Sequence, residues 1–130
     1  MSDEVNDGAR TVRLRYATNG AYRTTIRVPF SAELSRASIH GVDATPLLNS
    51  SATVDFSSVI CVGRACDGAE AVLVVNVDAT PTDWLVLGQY LGAPEVAAEL
   101  IAARPVYATA AHNGDIALTL GAVQPASTQQ

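Results

Sequence analysis

Lysine is missing from this sequence altogether. Its basic residues are 8 arginines, set against 13 Asp and Glu, for a formal net charge of −5. The lysine gap reads as a codon preference without mechanistic weight. The acidic balance does carry weight, because neutralising a phosphate backbone takes a basic surplus, so a nucleic-acid partner is not expected. Long apolar runs are also missing, and nothing approaches the ~18 residues of a membrane-spanning helix. No secretory leader is legible either, since Met1-Ser2-Asp3-Glu4 is acidic where a leader is basic. Histidine and cysteine come to 2 each. His40 and His112 stand outside any recognised zinc spacing, which leaves no complete ligand set. No internal repeat or low-complexity block is present.

What the chain does have is core-forming material. Hydrophobic residues make up 48% and charged residues only 16%, the reverse of a disordered composition. A length of 130 residues suits one domain. Met1–Ala9 and Pro125–Gln130 read as tails, which leaves residues 10–124 as the folded part. Near its start Val12, Leu14 and Tyr16 alternate with Arg13 and Arg15; then comes Asn19-Gly20; then Tyr22, Thr24, Ile26 and Val28 alternate with Arg23, Thr25 and Arg27. Period-two alternation on both sides of Asn-Gly predicts a β-hairpin with one apolar face and one face of four arginines.

Pro29 ends that second strand, and Ser38-Ile39-His40-Gly41-Val42 suggests a short strand with a turn. Thr53 to Val62 and Ala71 to Val77 flank Cys61-Val-Gly-Arg-Ala-Cys66-Asp-Gly68, which predicts a second hairpin. Trp84 to Leu91 and Asp115 to Val123 complete the strands, the last with Ile116, Leu118 and Leu120 alternating with smaller residues. Pro94 to Ala103 is the one stretch with helical character. The expected fold is all-β: an antiparallel β-sandwich of about seven or eight short strands with at most one short helix.

Candidate chemistry is sparse. Cys61 and Cys66, brought together across a tight turn, could form a disulfide; reduced thiols and a metal site are the alternatives left open. His112 before Asn113-Gly114-Asp115 reads as a turn, because no Ser or Cys stands in a nucleophile motif that could use a His–Asp pair. Asp55, Asp67, Asp78 and Asp83 are spread over separate elements. The glycines form no phosphate-cradling loop. Trp84 and Tyr90 sit in an apolar strand and read as core or core-edge aromatics. An exposed trio of Trp84, Tyr90 and Tyr107 would instead mark a sugar- or peptide-binding module. Arg13, Arg15, Arg23 and Arg27 are the candidate interdomain or partner surface.

The order of phrases in the second half is similar to a known arrangement. Cys61-Val-Gly-Arg-Ala-Cys-Asp-Gly68 runs into an apolar strand. Trp84 to Leu91 then leads into Gly92-Ala-Pro-Glu95, Leu100-Ile-Ala-Ala-Arg-Pro105 follows, and His112-Asn-Gly-Asp115 opens the last strand. Across residues 53–123 this resembles the C-terminal extracytoplasmic β domain of bacterial membrane-bound zinc aminopeptidases related to aminopeptidase Y (metallopeptidase family twenty-eight). The resemblance implies a non-catalytic accessory domain that packs on or orients the parent's peptidase domain, with peptide substrate as a further partner. It implies a location on the periplasmic or extracellular side of the membrane, which favours the disulfide. Leader and membrane helices would lie upstream of Met1. The family's zinc ligands and acidic base belong to the catalytic domain and match nothing here, so no catalytic residue, metal ligand or cofactor carries over; zinc is expected in the parent alone. The alternatives are a stand-alone sugar- or peptide-binding module and a self-assembling structural subunit.

Overall fold

The computed structural model describes residues 1–45, 55–92, 98–105 and 116–125. Within them nine strands form two antiparallel sheets: β1 Ser2–Asn6, β2 Ala9–Arg15, β3 Arg23–Pro29, β4 Arg36–Ile39, β5 Val42–Asp43, β6 Phe56–Val62, β7 Glu70–Asn76, β8 Leu85–Leu91 and β9 Ile116–Ala122. The first sheet has the order β1-β2-β7-β4-β5 and the second the order β6-β3-β8-β9. The expected all-β sandwich is therefore present. Its one α-helix among the described residues, α1 Ala98–Ala102, is a single short connector.

Strand partners differ from the sequence reading in three places. Met1–Ala9 is not a tail: Ser2–Asn6 pairs with β2 through a two-residue turn at Asp7-Gly8, both with positive φ (49° and 75°). Asp-Gly between strands is the turn chemistry whose twist matches flanking strands. The Asn19-Gly20 turn also has positive φ at both residues, 48° and 86°. Yet β2 and β3 do not pair; β2 pairs with β1 and β7, and β3 with β6 and β8. Each strand has one apolar face and needs a facing layer. Seven residues between Arg15 and Arg23 are enough to cross the ~10 Å between packed sheets. The crossing sets Val12 and Leu14 against Ile26 and Val28 across the interior, where a hairpin would have lined them up on one sheet face.

The second expected hairpin breaks the same way. β6 lies in the second sheet and β7 in the first, so Cys61 and Cys66 do not sit on paired strands. Cys61 belongs to β6 and Cys66 to a 3₁₀ turn, Arg64–Cys66, that carries the chain between layers. A disulfide joins them, with Cα atoms 5.8 Å apart. It pins a corner where the chain changes sheets.

The core lies between the layers. Val12, Leu14, Tyr16, Ile26, Val28, Val59, Leu73, Val75 and Trp84 are all buried in one cluster. Trp84, expected at or near the core, is only 2% exposed. The Tyr16 hydroxyl donates to the Val59 carbonyl of β6 at 3.3 Å, and its amide donates to Ala69 at 2.9 Å. Tyr16 thereby ties the exit of β2 to β6 and to the residue that leads into β7. Burial pushes its phenol pKa well above the ordinary value.

Candidate functional site

The outer faces of the two sheets differ in kind. On the first sheet, Thr11, Arg13 and Arg15 of β2 and Glu70, Val72 and Val74 of β7 alternate with buried residues and point outward, and the register puts Ser2 and Glu4 of the fully exposed β1 on the same side. Arg13 lies 3.4 Å from Glu70 in an exposed ion pair. Acids and bases are interspersed here, as on an ordinary solvated sheet face.

The second sheet shows water a different surface. Strand registers place its outward side chains in three rows: Val62, Arg23, Gln89 and Leu118; then Ile60, Thr25, Leu87 and Leu120; then Ser58, Arg27, Leu85 and Ala122. No carboxylate appears in any row. Val62 is 64% exposed, Leu118 59% and Leu120 73%. Leu85 and Ile60 are exposed as well. Single exposed leucines are unremarkable on any protein, but a contiguous apolar patch on a sheet face marks an interaction surface.

Both arginines of this face lie among the apolar side chains. The Arg27 guanidinium sits over the Phe56 ring, 4.2 Å from its centre, in a cation–π contact. The Arg27 Nε is buried without a hydrogen-bond partner. Between Arg23 and Arg27 a shallow depression of about 270 Å³ is floored by Thr25, Ile60, Leu87 and Leu118. The face thus combines apolar area with two positive charges, in a chain whose net charge is −5.

The expected surface of four arginines is corrected by this arrangement. Arg13 and Arg15 project from the first sheet and Arg23 and Arg27 from the second, so the two pairs lie on opposite outer faces. The cause is the crossing between β2 and β3: strands in different layers turn their outward side chains in opposite directions. The apolar half of the site was missed in the sequence, although two signals were available. Val59-Ile60-Cys61-Val62 and Leu85-Val86-Leu87 are apolar without alternation, the mark of strands with both faces apolar. In β9 the alternation is inside out: the larger Leu118 and Leu120 face outward, and the smaller Ala117, Thr119 and Gly121 face the other sheet.

The remaining candidates have structural explanations. His40, at φ 52°, occupies the turn between β4 and β5 together with Gly41. Asp67 accepts hydrogen bonds from the backbone amide and hydroxyl of Thr18, at 3.2 and 3.3 Å, and fixes the crossing loop. The Asp43 carboxyl is held below its ordinary pKa by hydrogen bonds from the Thr45 hydroxyl and amide. Tyr90 is half-buried, its hydroxyl donating to carbonyls of Thr18 and Asn19. With Trp84 buried, those two aromatics form no exposed platform. His112, Asn113, Gly114, Asp115, Tyr107, Thr53, Val54 and Pro94 lie outside the described residues, and so do residues 126–130 of the expected C-terminal tail. Among the described residues no three His, Cys, Asp or Glu side chains converge as a metal site would require. No helix of the described residues is long and apolar enough to cross a membrane. Comparison with protein-family models, with curated proteins and with solved structures returns no match to this chain.

Proposed function

We propose that this chain is a non-catalytic accessory domain that binds another protein domain through the outer face of its second sheet. The observation that carries this reading is the three-row surface of β6, β3, β8 and β9, where exposed Val, Ile and Leu side chains surround Arg23 and Arg27 without a carboxylate. Such a face fits a partner surface that is apolar at its centre and acidic at two points, since apolar burial supplies affinity and charge complementarity fixes register.

The partner that the phrase order of residues 53–123 suggests is the peptidase domain of a membrane-anchored zinc aminopeptidase. On this reading the domain packs on or orients the catalytic domain, on the periplasmic or extracellular side of the membrane. The Cys61–Cys66 disulfide supports an oxidising compartment. Arg13 and Arg15 no longer belong to the proposed contact, because they project from the other sheet.

An antibody raised against the domain decides between this and its rivals. In the source organism, a membrane-associated band several times the 13.5 kDa of the chain, with zinc-dependent aminopeptidase activity, is the expected result. A soluble band near 13.5 kDa would overturn the peptidase assignment. Self-assembly through the same face is disfavoured by its charges, because direct face-to-face pairing would bring arginines together with no acid on either side.

A further inference from the structure

The free edges of the two sheets are defended unequally. The first sheet ends in β1 and β5, and both carry carboxylates: Asp3 and Glu4 on one, Asp43 on the other. Charge along an edge blunts its unpaired backbone groups as a template for another strand. The second sheet ends in β6 and β9. β9, Ile116-Ala-Leu-Thr-Leu-Gly-Ala122, runs for 7 residues with neither charge nor proline. Among the described residues no strand pairs with its outer side. Its faces are open as well: Leu118, Thr119, Leu120, Gly121 and Ala122 are all exposed. β6 is also uncharged, but its inward Ser57 and Val59 are buried.

The order of residues in β9 says which strand fits beside it. Outward from Thr119 the strand has Leu118 and Leu120, then Ala117 and Gly121. An antiparallel copy centred on Thr119 therefore sets leucine opposite leucine, a small residue opposite a small one, and threonine opposite threonine. Side chains directly opposite on adjacent strands interact, and apolar pairs and Thr–Thr pairs are favourable. β6 lacks this symmetry: about its midpoint, Val59, it would set Ser58 against Ile60 and Ser57 against Cys61. The charges of the sheet agree. Arg23 and Arg27 stand on β3, with β8 between them and β9. Edge pairing leaves five strand spacings between the arginines of the two copies, about 24 Å, beyond the ~8–10 Å reach of charge in salt. Face-to-face pairing would bring them together.

We infer that two copies of this chain pair β9 to β9 about a two-fold axis at Thr119, joining their 4-stranded second sheets into one continuous sheet. The contact is isologous, so it uses the β9 edge of both copies and stops at the dimer. The Leu118 row of one outer face then continues into the Leu120 row of the other, with Leu118 and Leu120 of both copies along the seam. Main-chain hydrogen bonds to an added strand supply the affinity. A single strand a side is below the standard interface size, so the dimer is weak and concentration-dependent. The contact is made by an edge and not by the outer face, so it stands or falls independently of the proposed docking function.

Sedimentation velocity on the full chain, from about 10 μM to about 1 mM, measures the association. A dimer with a sub-millimolar dissociation constant is expected, with no larger species. Leu118→Lys with Leu120→Lys should raise that constant roughly tenfold or more, and so should Leu118→Glu with Leu120→Glu, because like charges then face each other across the seam. Both leucines are exposed, so these variants keep their fold. An equal mixture of the two double variants should recover the dimer, since position 118 of each copy faces position 120 of the other. Arg23→Ser with Arg27→Ser should leave the constant within about twofold. Thr119→Cys should give a disulfide-linked dimer on mild oxidation and Ala117→Cys should not, because position 117 faces position 121. A chain still monomeric at about 1 mM would overturn the edge pairing, as would growth beyond the dimer with concentration. Association strengthened roughly tenfold by the arginine variants would overturn it in favour of face-to-face contact. Equal linking through Thr119→Cys and Ala117→Cys would overturn the register.

Discussion

Removing the Cys61–Cys66 bridge should loosen the corner between the layers without dissolving either sheet. The two residues are separated by 5 positions, so the bond closes a loop of about six residues. Chain-entropy arithmetic for such a loop gives a loss near 7 cal/mol/K in the unfolded chain, which stabilises the folded state by about 2 kcal/mol at 25 °C. Cys66 is also 2% exposed, so Cys66→Ala removes a packed sulfur and adds a packing loss of about 1 kcal/mol. The double variant Cys61→Ala, Cys66→Ala should therefore lose about 3 kcal/mol, and the reduced wild-type chain only about 2. With an unfolding entropy near 0.27 kcal/mol/K for a chain of this length, those losses lower the thermal midpoint by about 11 and 7 °C. Both proteins should still unfold in one cooperative step. β6 keeps its seven register pairs with β3, and β7 keeps its partners β2 and β4. Calorimetry on oxidised, reduced and double-variant chains makes the comparison. A double variant within 0.5 kcal/mol of wild type would refute the reasoning, as would a loss of cooperative unfolding.

Leu73 and Leu120 are the same residue type in opposite environments, 0% and 73% exposed. Leu73→Ala should destabilise by about 2–5 kcal/mol in urea titrations, whereas Leu120→Ala should stay within about 0.5 kcal/mol; equal effects would contradict the assignment of faces. Tyr16 should make stability fall with alkaline pH. Its folded pKa is raised, so its contribution is complete below the unfolded value of 10.0 and is lost as pH rises past that value toward the folded one. Absorbance titration should show its ionisation only together with unfolding, and Tyr16→Phe should flatten stability above pH 10 while losing the bond to Val59.

The class of fold was legible in the residues alone because its physical cause is local. Alternation in Val12 to Tyr16 and Tyr22 to Val28, turn residues at Asn19-Gly20 and His40-Gly41, and the short span of Pro94 to Ala103 are properties of neighbours along the chain. The same local logic allowed Cys61 and Cys66 to be named as a pair, four residues lying between them. It stopped at strand partnership. Two amphipathic strands joined by a turn satisfy the alternation equally well as neighbours in one sheet or as facing members of two. Only the need of each apolar face for an opposing layer, settled by all strands together, sent β2 and β3 apart.

That one decision determined the candidate site. Arg13 and Arg15 were carried to one side of the molecule and Arg23 and Arg27 to the other. The second pair came to rest beside Ile60, Leu87, Leu118 and Leu120, residues drawn from β6, β8 and β9 across most of the chain. The sequence by itself determined that strands would form, where they would turn and that an apolar interior would exist. Which apolar residues entered that interior, and which stayed outside around two arginines, was decided by tertiary packing. A sandwich has room between its sheets for one face of each strand, and strands that are apolar on both must leave the other face uncovered.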